Sequence, residues 1–251
     1  MSDFDRNYAA RSTGIGRAAV AVDEGLRAYM LRVYNYMAIG VALTGVTAWI
    51  VFQMAVTQTG GQMALTPFGQ TLFQSGFYWV LLLAPLGLVF FLSFRIQHLQ
   101  PATARALFFF YAALLGVSLA PIFLVYTHAS VARVFFISAA SFGALSLYGY
   151  TTQRDLSAIG SFCVMGLFGI ILASLVSLFF PSPGLTWVIS VVGVLVFAGL
   201  TAWDTQSIKE MYSVNDDGTV AGRKAIMGAL RLYLDFINLF LMLLRLMGDR
   251  R

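Results

Sequence analysis

Apolar residues run along this chain in long blocks that charge does not enter. No Asp, Glu, Lys or Arg lies between Arg32 and Arg95, between Arg105 and Arg133, or between Asp155 and Asp204. A helix that crosses the hydrocarbon of a bilayer needs about 20 apolar residues, and these blocks hold several. The pattern predicts seven helical segments, near 33–54, 76–95, 105–126, 131–150, 157–180, 185–207 and 225–247. Breakers separate most of them: "TGGQ" after the first, "LQPAT" before the third and "PSPG" between the fifth and sixth. Runs such as "ISAASFGALS" are rich in small residues, which let helix backbones approach closely. Pro85 and Pro121 fall inside segments, where each should kink its helix or leave a carbonyl without its usual partner.

Composition sharpens this into a fold class. Hydrophobic residues make up 59% of the 251 and charged residues 11%, about half the charged share of an ordinary soluble domain. The expectation is an all-α integral membrane protein of seven transmembrane helices over 28–251, preceded by a polar, disordered tail over 1–27. That tail has no apolar core or cleavage site, so it is not a signal peptide. Cys163 is the only cysteine, which excludes an internal disulfide and a thiolate metal cluster.

The net charge of +5 reflects loops rather than a nucleic-acid surface. Basic residues crowd the tail and alternate connections: Arg95 and Arg105, Arg154, then Lys209, Arg223 and Lys224. The intervening connections at 55–75, 127–130 and 181–184 are nearly bare. Basic residues favour the cytoplasmic side, so the N-terminus is expected there. One feature conflicts: seven full crossings put Arg245, Arg250 and Arg251 on the other side. Either the last segment re-enters or the rule yields locally to the other loops.

All but two of the acidic residues lie in the tail, the connections or the final residues. The two are Asp204, in "GLTAWDTQSIK", and Asp235, in "LYLDFINLFL". At 1.5 Å per residue, Asp235 lies about 15 Å and Asp204 about 10 Å from the same boundary, on adjacent antiparallel helices. Two close carboxylates in a poorly solvated site cannot both ionise easily and titrate as a coupled unit. Such a pair can share a proton, receive a cation through oxygen ligands, or exchange one for the other. There are structural alternatives. Arg231 stands four residues before Asp235 and could form an intrahelical pair. Asn238 extends that polar stripe and could join helices, and Asp204 could reach the interface.

Several chemistries are excluded on residues alone. A retinal Schiff base needs a lysine in the last helix, and the only lysines are Lys209 and Lys224. Intramembrane aspartyl proteases carry Gly-x-Gly-Asp at the second acid, where this chain has "LYLD". No enzyme is expected, and no cofactor. His98 and His128 belong to opposite sides and cannot share a metal. Tyr78, Trp79 and Trp187 mark span ends.

The segment "LYLDFINLFLMLLRLMG" resembles the last-helix signature of the Bax inhibitor family, the transmembrane Bax-inhibitor-motif proteins, in its bacterial branch. "WDTQSIK", "GVSLAPIFLVYT" and "FGALSLYGYTTQRDLS" support the likeness from about Arg105 onward. The resemblance implies a last helix surrounded by the other six. It implies a pH-sensitive Ca²⁺ leak of the bacterial inner membrane, and Ca²⁺ handling in eukaryotic relatives. It maps the family's paired acids, with pH sensing and Ca²⁺ passage, to Asp204 and Asp235, and Arg95 fits the family's arginine; Arg95, Arg231 and Asn238 are the expected latch partners. One departure stands out: a branch of the family has a glutamate in span two, and "WVLLLAPLGLVFFLSF" has no acid. Other bacterial relatives modulate a membrane-anchored AAA protease, so a non-conducting regulator of such a protease or another membrane protein is the second expectation.

Overall fold

The computed structural model describes the backbone of residues 3–59 and 62–251, and the side chains of 24–57 and 63–251. Most of the expected tail over 1–27 therefore lies outside the residues whose side chains are described. Helix α1 (Asp3–Ala55) leads into a short hairpin, β1 (Val56–Thr59) and β2 (Gln62–Leu65), then α2 (Pro67–Phe73). There follow α3 (Phe77–Arg95) with a 3-10 turn (Ile96–His98), α4 (Pro101–Leu119), α5 (Ile122–Val125) and α6 (His128–Thr151). The chain then continues through α7 (Ser157–Phe179), α8 (Pro183–Glu210) and α9 (Gly218–Met247).

Among the described residues seven helices are long and apolar enough to cross a membrane, in the order the sequence predicts. Several start ahead of the apolar segments because local caps extend them. The Asp217 side chain accepts from the Val220 amide at 2.6 Å and starts α9 seven residues ahead of the predicted apolar run. Thr127 caps α6 through the Ser130 amide, and proline opens α4 and α8.

The two internal prolines act differently. Pro121 ends α4 and separates it from α5. Pro85 leaves α3 continuous, and its missing N–H frees the Leu81 carbonyl. The Ser118 hydroxyl of α4 donates to that carbonyl. In an apolar medium such a replacement partner makes an internal proline tolerable.

Helix α9 is the most buried of the seven, with 67% of its apolar window inside the protein against 11% for α7 and 17% for the α3 span. It packs chiefly against α1, α4, α6 and α8, while α7 lies on α8 and α3 lies on α4. Backbones meet closely at Gly149 of α6, where a Cβ would run into the Ala202 carbonyl of α8. Hydroxyls tie the layers together. Thr44 Oγ1 of α1 lies 2.8 Å from the Ala112 carbonyl of α4 and 2.6 Å from Tyr233 Oη of α9.

The structure resolves the conflict over the last segment. Helix α9 runs unbroken for 30 residues and ends at the α5–α6 junction. Beyond it the Thr127 amide donates to the Asp249 carbonyl and the Arg251 amide to the Val125 carbonyl. The break in the helix that re-entry requires is absent from α9. Arg133, Arg245, Arg250 and Arg251 share the end of the bundle that carries the 181–184 connection.

Candidate functional site

The two acids sit where α8 and α9 run side by side. Asp204 is 8% exposed and Asp235 5%. Their carboxyls lie close enough at this interface for each to act on the charge of the other. Asp235 Oδ2 is buried and has no hydrogen-bond partner. Helix geometry explains the meeting: the sequence placed both acids at similar depth, and each falls on the face its helix turns to the other. Leaving a carboxyl oxygen unpartnered in an apolar setting is costly, so the surrounding packing has to offset that cost. Tyr233 and Phe236, on either side of Asp235 in α9, are both buried.

Arg231 supplies the nearest positive charge, and its partner differs from the one suggested by sequence spacing. Its Nη1 lies 3.7 Å from Asp204 Oδ1, across the helix interface. No ion pair with Asp235 forms among the described residues. The guanidinium also lines a cavity of about 470 Å³ at this end of the bundle, together with Gln97, Met211, Arg223, Lys224 and Met227. Arg231 therefore stands between an open vestibule and the buried acids.

The rest of the vestibule is tied down. Lys224 Nζ pairs with Asp216 at 2.6 Å and donates to the Met211 carbonyl at 2.9 Å. Arg223 Nε donates to the Leu99 carbonyl at 2.7 Å. Below it, Gln206 clamps the α6–α7 connection to α8: Nε2 donates to the Arg154 carbonyl at 2.8 Å and Oε1 accepts from the Leu156 amide at 2.9 Å.

Two candidates fall elsewhere. Arg95 is exposed at the end of α3 and makes no contact with the acid pair among the described residues. Asn238 Nδ2 donates to the Leu234 carbonyl of its own helix at 2.9 Å and joins no helices by that bond. His98 and His128 occupy opposite ends, as expected. A set of three or more His, Cys, Asp or Glu side chains that could hold a metal is absent among the described residues. Ca²⁺ takes six to eight oxygens. Two carboxyls supply fewer, Gln206 Oε1 is already engaged, and Arg231 covers Asp204. The pair alone therefore supplies fewer oxygens than a resident Ca²⁺ takes.

One polar array was not expected. Tyr34 Oη of α1 lies 2.7 Å from Ser146 Oγ of α6, which lies 2.9 Å from Thr205 Oγ1 of α8. Nothing in the sequence distinguishes these hydroxyls from the others scattered through its apolar runs.

Comparison with known proteins fits this arrangement. The model of a family described as "Inhibitor of apoptosis-promoting Bax1" matches residues 26–251. The chain belongs to the Bax inhibitor family. Among its relatives, protein RP147 of Rickettsia prowazekii is 50% identical over 231 residues, covering 91% of this chain and 92% of that one. Inner membrane protein YbhL of Escherichia coli is 47% identical over 229 residues, 90% of this chain and 94% of its own. A protein of Caulobacter vibrioides is 42% identical over 259 residues, covering all of both chains. Family membership thus spans all seven helices, Asp204, Asp235 and Arg231 included.

Proposed function

We propose that this Bax inhibitor family protein is a pH-sensitive Ca²⁺ leak of the bacterial inner membrane, gated at Asp204 and Asp235, and not an enzyme. The observation that carries the reading is the buried acid pair closed off from a vestibule by Arg231. Intramembrane acids that face the bundle interior mark ion and proton paths by default. The name of the relative YbhL supports placement in an inner membrane. The basic residues of the connections at the vestibule end support a cytoplasmic vestibule and N-terminus.

Gating follows from charge. With Asp204 ionised, Arg231 is held over the pair and α9 stays packed against α8. Protonation of Asp204 cancels that attraction, and the guanidinium swings toward the aqueous vestibule. The way to the acids then opens. A cation entering the site afterwards takes the carboxyl oxygens that the proton and Arg231 give up. No cofactor takes part, and Ca²⁺ is the cargo.

The test is Ca²⁺ flux into liposomes holding purified protein, between about pH 6 and 8, where a coupled pair can titrate. A pH-dependent flux altered by both Asp204→Asn and Asp235→Asn carries the reading. Absence of flux from folded protein defeats it.

A second reading has its own support. Helix α3 contains no acid, and the vestibule wall carries Arg223, Lys224 and Arg231, which repel a divalent cation. A non-conducting regulator of a membrane-anchored AAA protease, or of another membrane protein, needs no conduction path. In that case substitutions on the 211–217 connection abolish partner binding while both aspartates can be replaced.

A further inference from the structure

Away from the acid pair, the opposite end of the bundle holds a cavity of about 410 Å³ between the start of α8 and the segment after α9. Its lining includes Ser182, Thr186, Trp187, Arg245 and Arg250. We propose that it binds the phosphate of an anionic phospholipid headgroup.

The placement of Arg250 is built into the backbone. Residues 249–251 pair with 125–127 as a short extended stretch, with a bridge between Tyr126 and Arg250. Side chains alternate across such a stretch. Asp249 and Arg251 turn toward α6, where Asp249 meets Arg133 at 2.9 Å and Arg251 meets His128 at 3.1 Å. Arg250 is left facing the α7–α8 connection. Arg245, in the last turn of α9, reaches the same cavity.

Neither Arg245 nor Arg250 has an ion-pair or side-chain hydrogen-bond partner among the described residues. The acid nearest in sequence, Asp249, is engaged by Arg133. Helix α8 begins at Pro183 without a side-chain cap, since Ser182 Oγ accepts no first-turn amide. Two unpaired guanidiniums, a hydroxyl and an uncapped helix start are complementary to a phosphate.

The surroundings select a lipid as its source. Trp187 is largely exposed, as are Phe179 and Phe180 at the end of α7, the helix that the same connection joins to α8. Aromatic side chains at a span end sit at headgroup level. The pocket thus has its charges where the phosphate of a lipid lies and its apolar neighbours where the acyl chains begin.

The experiment is native mass spectrometry of the whole chain in micelles containing equal phosphatidylglycerol and phosphatidylcholine. Wild type is expected to retain phosphatidylglycerol preferentially. Each basic residue near an anionic surface contributes about fivefold, so Arg245→Gln with Arg250→Gln should lower the preference about 25-fold. Arg133→Gln, which removes charge from the other side of the same stretch, should leave it. Circular dichroism establishes that each variant is folded. Undiminished preference in the folded double variant, or equal loss in Arg133→Gln, overturns the site. Displacement of the lipid by millimolar inorganic phosphate overturns the lipid assignment in favour of a soluble anion.

Discussion

Arg231 pairs with Asp204 of the neighbouring helix and not with Asp235, one turn along its own helix. The pair spans the α8–α9 interface, so whatever weakens it loosens the contact between those helices. Its side chain is 40% exposed, so the pair contributes less than about 1 kcal/mol to stability. Arg231→Gln should therefore leave thermal unfolding in detergent nearly unchanged and, under the proposed gating, should shift the pH midpoint of Ca²⁺ flux. An unmoved midpoint would remove Arg231 from the gate.

Thr44 is the meeting point of α1, α4 and α9. A hydroxyl has one proton, so when Thr44 donates to a carbonyl, Tyr233 must donate to Thr44. Tyr233 is fully buried, with no water to replace a lost acceptor. Thr44→Val is expected to destabilise by about 1–3 kcal/mol, and Tyr233→Phe by about 1 kcal/mol because Thr44 keeps its carbonyl partner. Thermal unfolding of the two single variants and the double variant measures this. Equal costs for the singles would contradict the assigned direction of donation.

Two glycines of α6 should respond oppositely to the same substitution. Gly149→Ala forces α6 away from the Ala202 backbone and is expected to cost about 1–3 kcal/mol. Gly143 has nothing near its missing Cβ, so Gly143→Ala should be neutral or stabilising, by up to about 1 kcal/mol of helix propensity. Unfolding temperatures in one detergent decide the matter.

Asp155 lies in the connection before α7, outside the spans. Hydrogen bonds from the Ser157 side chain and then its backbone amide lower the Asp155 pKa from 3.8. A lowered folded value means the contribution is present above the ordinary carboxylate range and is lost as pH falls through the folded value. Asp155→Asn keeps an acceptor for the amide but has no proton to gain. The variant should show a shallower loss of unfolding temperature below about pH 4 than wild type. Parallel curves would contradict this.

Much of the architecture is written in where charge is missing. The seven spans follow from the blocks between Arg32, Arg95, Arg105, Arg133, Asp155 and Asp204, because hydrocarbon excludes charge whatever the packing. The proximity of Asp204 and Asp235 was legible for a related reason, since rise per residue fixes depth on antiparallel neighbours. The partner of Arg231 was not. Spacing of four says that two side chains share a helix face, and the rotation of α9 against α8 decides which acid that face meets. The paired strands 56–59 and 62–65 leave a weaker signal, two glycines between short runs, which a polar connection between spans carries just as readily. The Tyr34–Ser146–Thr205 array left none, because a hydroxyl in an apolar run can equally satisfy its own helix, as Ser138 does with the Val134 carbonyl.

The burial of α9 also has a consequence for biosynthesis. The helix against which α1, α4, α6 and α8 all pack is translated after every one of them. Until it enters the bilayer, those four lack the surface they close on, and Asp204 has neither Asp235 nor Arg231 beside it. Insertion of this helix, with a carboxylate and a guanidinium on it, is then assisted by a vacancy already lined with the groups that receive them. Chains that end before Gly218 and are released from the ribosome should accordingly leave six spans that are inserted but loosely held, open to proteolysis and to membrane quality control.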